Sequence, residues 1–529
     1  MRPGGAGARG DCDHRSVIAA ILILAGAIGI GAATPGRASA AVPVDPPQPA
    51  SPAHLPRLVV LLVVDQFRPD YLDRLRPRFG PDGFRRLLEG GTWFTACAIP
   101  YALTETAPGH ATLATGTTPD RHGIVSNEWF DAALGRMTEA VEDPDAPLFG
   151  PAGPGASPRR LLVETIGDAL RRATKGEAKV WAVAGKDRAA IFSAGLHPSG
   201  AVWYDKRNGR MVSSRYYGEA APEWLRRFNG AHPAERLLRD IPVKDFDSLR
   251  TTPQFHDLLF DCARTLVTSE RLGADDVPDL LILGLSGTDI LGHAVGPFDD
   301  RLADLIVRLD AQIGSFLKFV EGRVGAGRTI VALSSDHGVA PTRAQAIASG
   351  LTPPVLDRKA LRAALEAALA AAVTGDHIAP RLRGTSTRIW FDDASLAGAG
   401  MSREQAAEIA GKAASGVEGI AGWVTPSHAG VDAALAEMYR LSRYAGRSAD
   451  LYLVPAEYAS NVGDDPANHG TPWPYDRRVP LLFAGGPFRR GVSDDQPCTP
   501  ADVAPTLAAA LHIPPPAAAT GRVLTAAAR

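Results

Sequence analysis

Four short apolar runs, each ending in residues that carry chemistry, constrain this chain more than anything else in it. Leu58-Val59-Val60-Leu61-Leu62-Val63-Val64 ends in Asp65. Lys179-Val180-Trp181-Ala182-Val183-Ala184 ends in Gly185-Lys186-Asp187-Arg188. Asp279-Leu280-Leu281-Ile282-Leu283-Gly284-Leu285 leads to Ser286-Gly287-Thr288-Asp289, and Thr329-Ile330-Val331-Ala332-Leu333 to Ser334-Ser335-Asp336-His337-Gly338. Apolar runs of this length, rich in β-branched residues, read as strands buried on both faces. Residues 301–322 between them carry Leu302, Leu305, Ile306, Leu309, Ile313, Phe316 and Phe319 at helical spacing. Strands alternating with helices predict an α/β fold: a mainly parallel central sheet with helices on both faces. Such sheets bind ligands beyond the carboxyl ends of their strands, where these side chains lie.

The 529 residues suffice for a large core with additions. The reading places that core at 57–338 and 450–529, with 450–454 returning the chain to it and 480–484 as a late strand. Between 339 and 449 the pattern changes. Ala-rich helices at 358–373 and 402–415 flank short strands at 387–391 and 422–425, which predicts an inserted α+β subdomain. Residues 82–90 and 158–172 read as helices. Residues 203–224, rich in Tyr, Trp and Arg, read as a surface excursion.

Arg2, Arg9 and Arg15 precede an apolar run at 17–33, and Ala38-Ser39-Ala40 follows. This is the pattern of a cleaved signal peptide over residues 1–40, and the run is short for a spanning helix. Residues 41–56 form a Pro-rich extended linker. The expectation is an exported protein, periplasmic or secreted and off the membrane after cleavage. A net charge of −2 implies no nucleic acid or other polyanion as partner. The mature chain keeps Cys97, Cys262 and Cys498, so at most one disulfide forms.

Thr106 stands just before Ala107-Pro108. Proline is favoured in the first turn of a helix, and a hydroxyl there lies beside free N–H groups at the positive helix end. Asp289 and His293 are one helical turn apart. Asp336 and His337 are adjacent just past a strand, and His469 sits in the loop Asn468-His469-Gly470. Carboxylates with imidazoles and no thiolate suit zinc or a similar first-row ion. Two such ions could clamp both oxygens of an in-line phosphoryl displacement.

The ordered set Val64-Asp65-Gln66-Phe67-Arg68-Pro69-Asp70-Tyr71, Thr106-Ala107-Pro108-Gly109-His110, Thr115-Gly116-Thr117-Thr118-Pro119, His122-Gly123-Ile124, Asp289-x-x-x-His293, Asp336-His337-Gly338 and His469-Gly470 resembles the alkaline phosphatase superfamily. The nearest likeness is to the bacterial monomeric, phosphate-irrepressible alkaline phosphatases of its nucleotide-pyrophosphatase-like branch. The resemblance implies two zinc ions. One is held by Asp289, His293 and His469, the other by Asp65, Asp336, His337 and the Thr106 oxygen. It implies Thr106 as nucleophile, through a phosphothreonine, and Asn127, Lys186 and Arg188 as phosphoryl contacts. It also implies small phosphomonoester substrates and a monomer. One departure is Ala107, where that group carries Gly. The alternative on the same fold is a phosphodiesterase or nucleotide pyrophosphatase. Lys186 and Arg188 argue against it, because cations compensate the extra charge of a monoester dianion.

Overall fold

The computed structural model describes residues 56–527 apart from 151–153, 326, 375–376 and 462–466. The expected signal peptide and all of the linker but Pro56 lie outside the described residues.

Nine strands build the central sheet. Their order is Val492–Asp494, Gly91–Phe94, Leu481–Gly485, Thr329–Ser334, Leu58–Val64, Asp279–Leu285, Val180–Ala184, Gly200–Asp205 and Arg210–Val212. The run from Thr329–Ser334 to Gly200–Asp205 is parallel throughout. Leu481–Gly485 and Arg210–Val212 flank it antiparallel.

Leu58–Val64 lies in the middle, and every residue of it is buried. Val59, Leu61 and Val63 face one apolar layer, with Ala107 and Ala111 of the helix Thr106–Thr115 and Ile191 of the helix Asp187–Ala194. Leu58, Val60, Leu62 and Val64 face the other, with Ile306, Leu309 and Ile313 of Asp300–Val324 and Leu259 of Pro253–Ser269. Successive strand side chains point to opposite faces, so a strand covered on both sides needs an unbroken apolar run. Each such side chain removed from water contributes about 1.5–3 kcal/mol. Val64 pairs with Leu285, and Val63 pairs with Ser334. This register brings the residues after all three strands out together at one edge.

Three expectations are corrected. Residues 203–224 are not all a surface excursion: Gly200–Asp205 and Arg210–Val212 form a hairpin at the sheet edge. Trp203 packs in one apolar layer, and Val202 and Tyr204 pack in the other. Asn208-Gly209, with φ 70° at the glycine, turns the chain and is the hairpin signal passed over. The helix expected at 158–172 starts only at Ile166, because Thr165 and Asp168 form a capping box that fixes its N-terminus. Leu451–Pro455 does not rejoin the central sheet. It pairs with Arg388–Phe391 and Ile420–Val424 in an antiparallel sheet completed by Leu382–Gly384. Its apolar run serves two cores: Leu451 and Leu453 pack with the helices Arg358–Ala372 and Arg403–Ala414, while Tyr452 and Val454 join the main layer.

Cys97, Cys262 and Cys498 are buried free thiols. No helix among the described residues is long and apolar enough to cross a membrane.

Candidate active site

Three strand ends and one loop converge. Asp65 follows Leu58–Val64 and is fully buried. Asp289 and His293 lie on the short helix Gly287–Val295 that follows Asp279–Leu285. Asp336 and His337 follow Thr329–Ser334, and His469 arrives from the loop before the late strand.

Two groups of ligand atoms form. In one, Asp289 Oδ1 lies 3.2 Å from His293 Nε2 and 3.6 Å from His469 Nε2. The other unites Asp65, Asp289 and His337, with Asp65 Oδ1 3.5 Å from His337 Nε2. Asp289 thus belongs to both. Asp336 stands beside the second group: its Oδ2 is 3.7 Å from His337 Nε2 and 3.6 Å from His110 Nε2. Its Oδ1 accepts the backbone N–H groups of Gln66 and His337. The rings of His337 and His469 stack with centroids 3.6 Å apart.

The donor set fits divalent metal. Each imidazole turns Nδ1 to a backbone carbonyl: His293 to Ala467 at 2.9 Å, His469 to Thr104 at 2.7 Å and His337 to Gly338 at 3.0 Å. An Nδ1–H bonded outward leaves the Nε2 lone pair for an ion. Asp65 Oδ1, Asp336 Oδ2 and His337 Nε2 are buried without a hydrogen bond, which is costly unless a cation sits there. Burial and the neighbouring Asp336 carboxylate raise Asp65 to about 8. Burial also dominates at Asp336, which reaches about 6. Burial pushes His293 down, but the Asp289 carboxylate outweighs it and carries the ring up to about 9.

Lys186 supplies the one protein cation bridging these carboxylates among the described residues. Its ammonium lies 2.6 Å from Asp289 Oδ2, 2.7 Å from Asp65 Oδ2 and 3.2 Å from Thr106 Oγ1. Thr106 opens the helix Thr106–Thr115 and is buried. Its helix packs tightly on the strand end carrying Asp336: a Cβ at Gly109 would stand 2.3 Å from the Asp336 carbonyl oxygen. Asn127 Oδ1 accepts the N–H of Ala107 at 2.9 Å. Arg188 lines, with Lys186, Asp289 and His293, an open cavity of about 940 Å³. All ten sequence-expected site residues therefore lie on or beside these groups.

Sequence reasoning gave no role to Gln66, Glu105, His110 or Arg388. Gln66 donates Nε2–H to Asp289 Oδ1 at 2.8 Å and its backbone N–H to Asp336, from a left-handed backbone at φ 62°. A non-glycine residue there is uncommon and marks a constrained site. Gln66 and His110 stand inside the recognised motifs, and Glu105 directly precedes Thr106. Only Arg388 has no local signal.

The family described as type I phosphodiesterase / nucleotide pyrophosphatase matches residues 59–459. Alkaline phosphatase PafA of Elizabethkingia meningoseptica is 29% identical over 522 residues, covering 89% of this chain and 94% of that protein. Alkaline phosphatase PhoV of Synechococcus elongatus is 29% identical, with 89% and 92% covered. The crystal structure of PafA superposes with a TM-score of 0.83 at 27% identity, covering 90% of this chain and 99% of that one. A solved variant of PafA is substituted at a Thr, an Asn, and a Lys and Arg two positions apart, residue types that Thr106, Asn127, Lys186 and Arg188 present here. The match across most of the chain makes it a member of the type I phosphodiesterase / nucleotide pyrophosphatase family.

Proposed function

We infer that the protein is an alkaline phosphatase that hydrolyses small phosphomonoesters through a phosphothreonine at Thr106. The observation that carries this reading is the Thr106 hydroxyl, at a helix N-terminus, 3.2 Å from a lysine that spans carboxylates of both ligand groups. Asp289, His293 and His469 would hold one zinc ion, and Asp65, Asp336, His337 and the Thr106 oxygen the other, with Asp289 close enough to both groups to support the second ion as well. Such a pair supplies Lewis acidity and positive charge at the attacking and leaving oxygens.

The chain's own groups do the rest. Thr106 Oγ gives up its proton and forms the new bond to phosphorus while the ester P–O bond breaks. The leaving oxygen departs with the bonding electrons and takes up a proton as the alcohol. Water then cleaves the phosphothreonine, releasing phosphate and restoring the hydroxyl. The helix N-terminus favours the anion. Asn127, with Oδ1 engaged by Ala107, offers Nδ2 to a non-bridging oxygen. Lys186 and Arg188 add charge, Lys186 as a compact point charge and Arg188 as a fork matched to phosphate.

Lys186→Ala and Arg188→Ala are each expected to lower aryl phosphate monoester turnover by about 10²- to 10³-fold, and turnover of the matching diester far less. Wild type should prefer the monoester. Equal losses would make both residues scaffold only, and a wild-type preference for the diester would establish a phosphodiesterase.

The reading extends to an exported monomer, with the core in 57–338 and the C-terminal part of the chain and an inserted subdomain that begins at 339 and takes in the strand Leu451–Pro455. Mature protein should begin near Ala41; mass spectrometry that finds residues 17–33 retained would overturn the cleaved signal.

A further inference from the structure

The inserted sheet sends one side chain into the site. Arg388 begins the strand Arg388–Phe391, and its Nη1 lies 2.8 Å from Glu105 Oε1. The same nitrogen donates to Ser126 Oγ. Glu105 Oε2 accepts the N–H of Asn127 at 2.7 Å and the Ser126 hydroxyl at 2.9 Å. Asn127 Oδ1 accepts the N–H of Ala107 at 2.9 Å. The chain of bonds thus returns to the residue beside Thr106.

Glu105 occupies the N-cap position of the helix Thr106–Thr115, where Ser, Thr, Asp or Asn would ordinarily bond the first-turn N–H groups. It makes no such bond. Its side chain turns away toward residues 126–127 and the arginine. Both side chains are only 12% exposed. A buried charge left without its partner is strongly destabilising, so each member needs the other. Burial favours the neutral acid at Glu105, but Arg388 and the hydrogen bonds outweigh it and hold the carboxyl below its usual range.

We propose that Arg388 is a positioning residue: through Glu105 it fixes the backbone and amide of Asn127, so the inserted subdomain sets the pose of a phosphoryl-binding group beside Thr106. With Oδ1 held by Ala107, Asn127 presents Nδ2 to the substrate only while the 126–127 backbone is anchored. This rests on the phosphatase reading, in which Asn127 binds a phosphoryl oxygen. A small displacement of such a group is enough to slow the reaction by about 10²-fold.

The test is a double-mutant cycle on the full-length protein with an aryl phosphate monoester. Arg388→Ala should lower kcat/KM by about 10- to 100-fold with metal content and melting temperature near wild type, and added guanidinium should restore part of it. Asn127→Ala should lower kcat/KM on its own. The double variant should be no slower than Asn127→Ala, because a residue acting only through Asn127 has nothing left to position. Losses that multiply, or an Arg388→Ala rate equal to wild type, would overturn the proposal. If Arg388→Ala loses metal or melts early, Glu105→Gln, which keeps shape and removes the charge, replaces it in the same cycle under the same criteria. If wild type cleaves only the diester, the phosphatase reading fails, and the cycle run on the diester still decides the role of Arg388.

Discussion

Thr106→Ala is expected to lower phosphomonoester turnover by at least about 10³-fold, since removal of a nucleophile collapses a covalent mechanism to its residual electrostatics. The fold should survive, because alanine suits the first turn of a helix and the lysine that donates to the threonine hydroxyl keeps its bonds to Asp65 and Asp289. Thr106→Ser keeps the oxygen and should retain most of the rate. Wild-type enzyme quenched in acid during turnover should carry phosphate on Thr106, readable by peptide mass spectrometry. Phosphate on another residue, or a Thr106→Ala rate near wild type, would remove Thr106 from the chemistry.

The second large effect concerns Asp289, which belongs to both ligand groups. Asp289→Ala should empty both metal positions after dialysis, whereas His293→Ala, which reaches only one group, should empty one. Elemental analysis should then read about two zinc ions for wild type and near none for Asp289→Ala. Gln66 donates hydrogen bonds to both Asp289 and Asp336, and losing such a support of a ligand typically costs about 10- to 100-fold in metal affinity. Activity of Asp289→Ala should vanish with the metal, and treating wild type with a chelator should reproduce the loss. A chelated, metal-free sample that keeps full activity would refute metal dependence altogether.

The parts legible in the sequence were those where one local pattern determines one outcome. An apolar run covered on both faces must be a buried strand, so Leu58–Val64, Asp279–Leu285 and Thr329–Ser334 declared themselves, and their terminal Asp65, Asp289 and Asp336 with them. Where a pattern serves two structures, the reading failed. Leu451–Pro455 is apolar on both faces and could belong to either sheet; which one depends on distant partners that its own sequence does not name. Trp203 and Tyr204 looked like surface aromatics, yet they fit opposite faces of an edge hairpin. Arg388 was invisible for the same reason. Nothing near it resembles a motif, and its role comes from where an antiparallel sheet delivers its guanidinium.

The parallel register around Leu58–Val64 also governs how such a site comes into being. Its neighbours, Asp279–Leu285 and Thr329–Ser334, lie far along the chain. Pairing them closes long loops before any contact rewards the closure, and topologies dominated by such contacts fold slowly. No short segment holds a complete ligand group: Asp289 and His293 are neighbours, but His469 must still arrive to complete the first, and the second needs three strand ends at once. A metal held by these groups would therefore find little to bind on the unfolded chain and would add its binding free energy to the stability of the assembled sheet. A nascent chain ending before residue 469 lacks the complete first group.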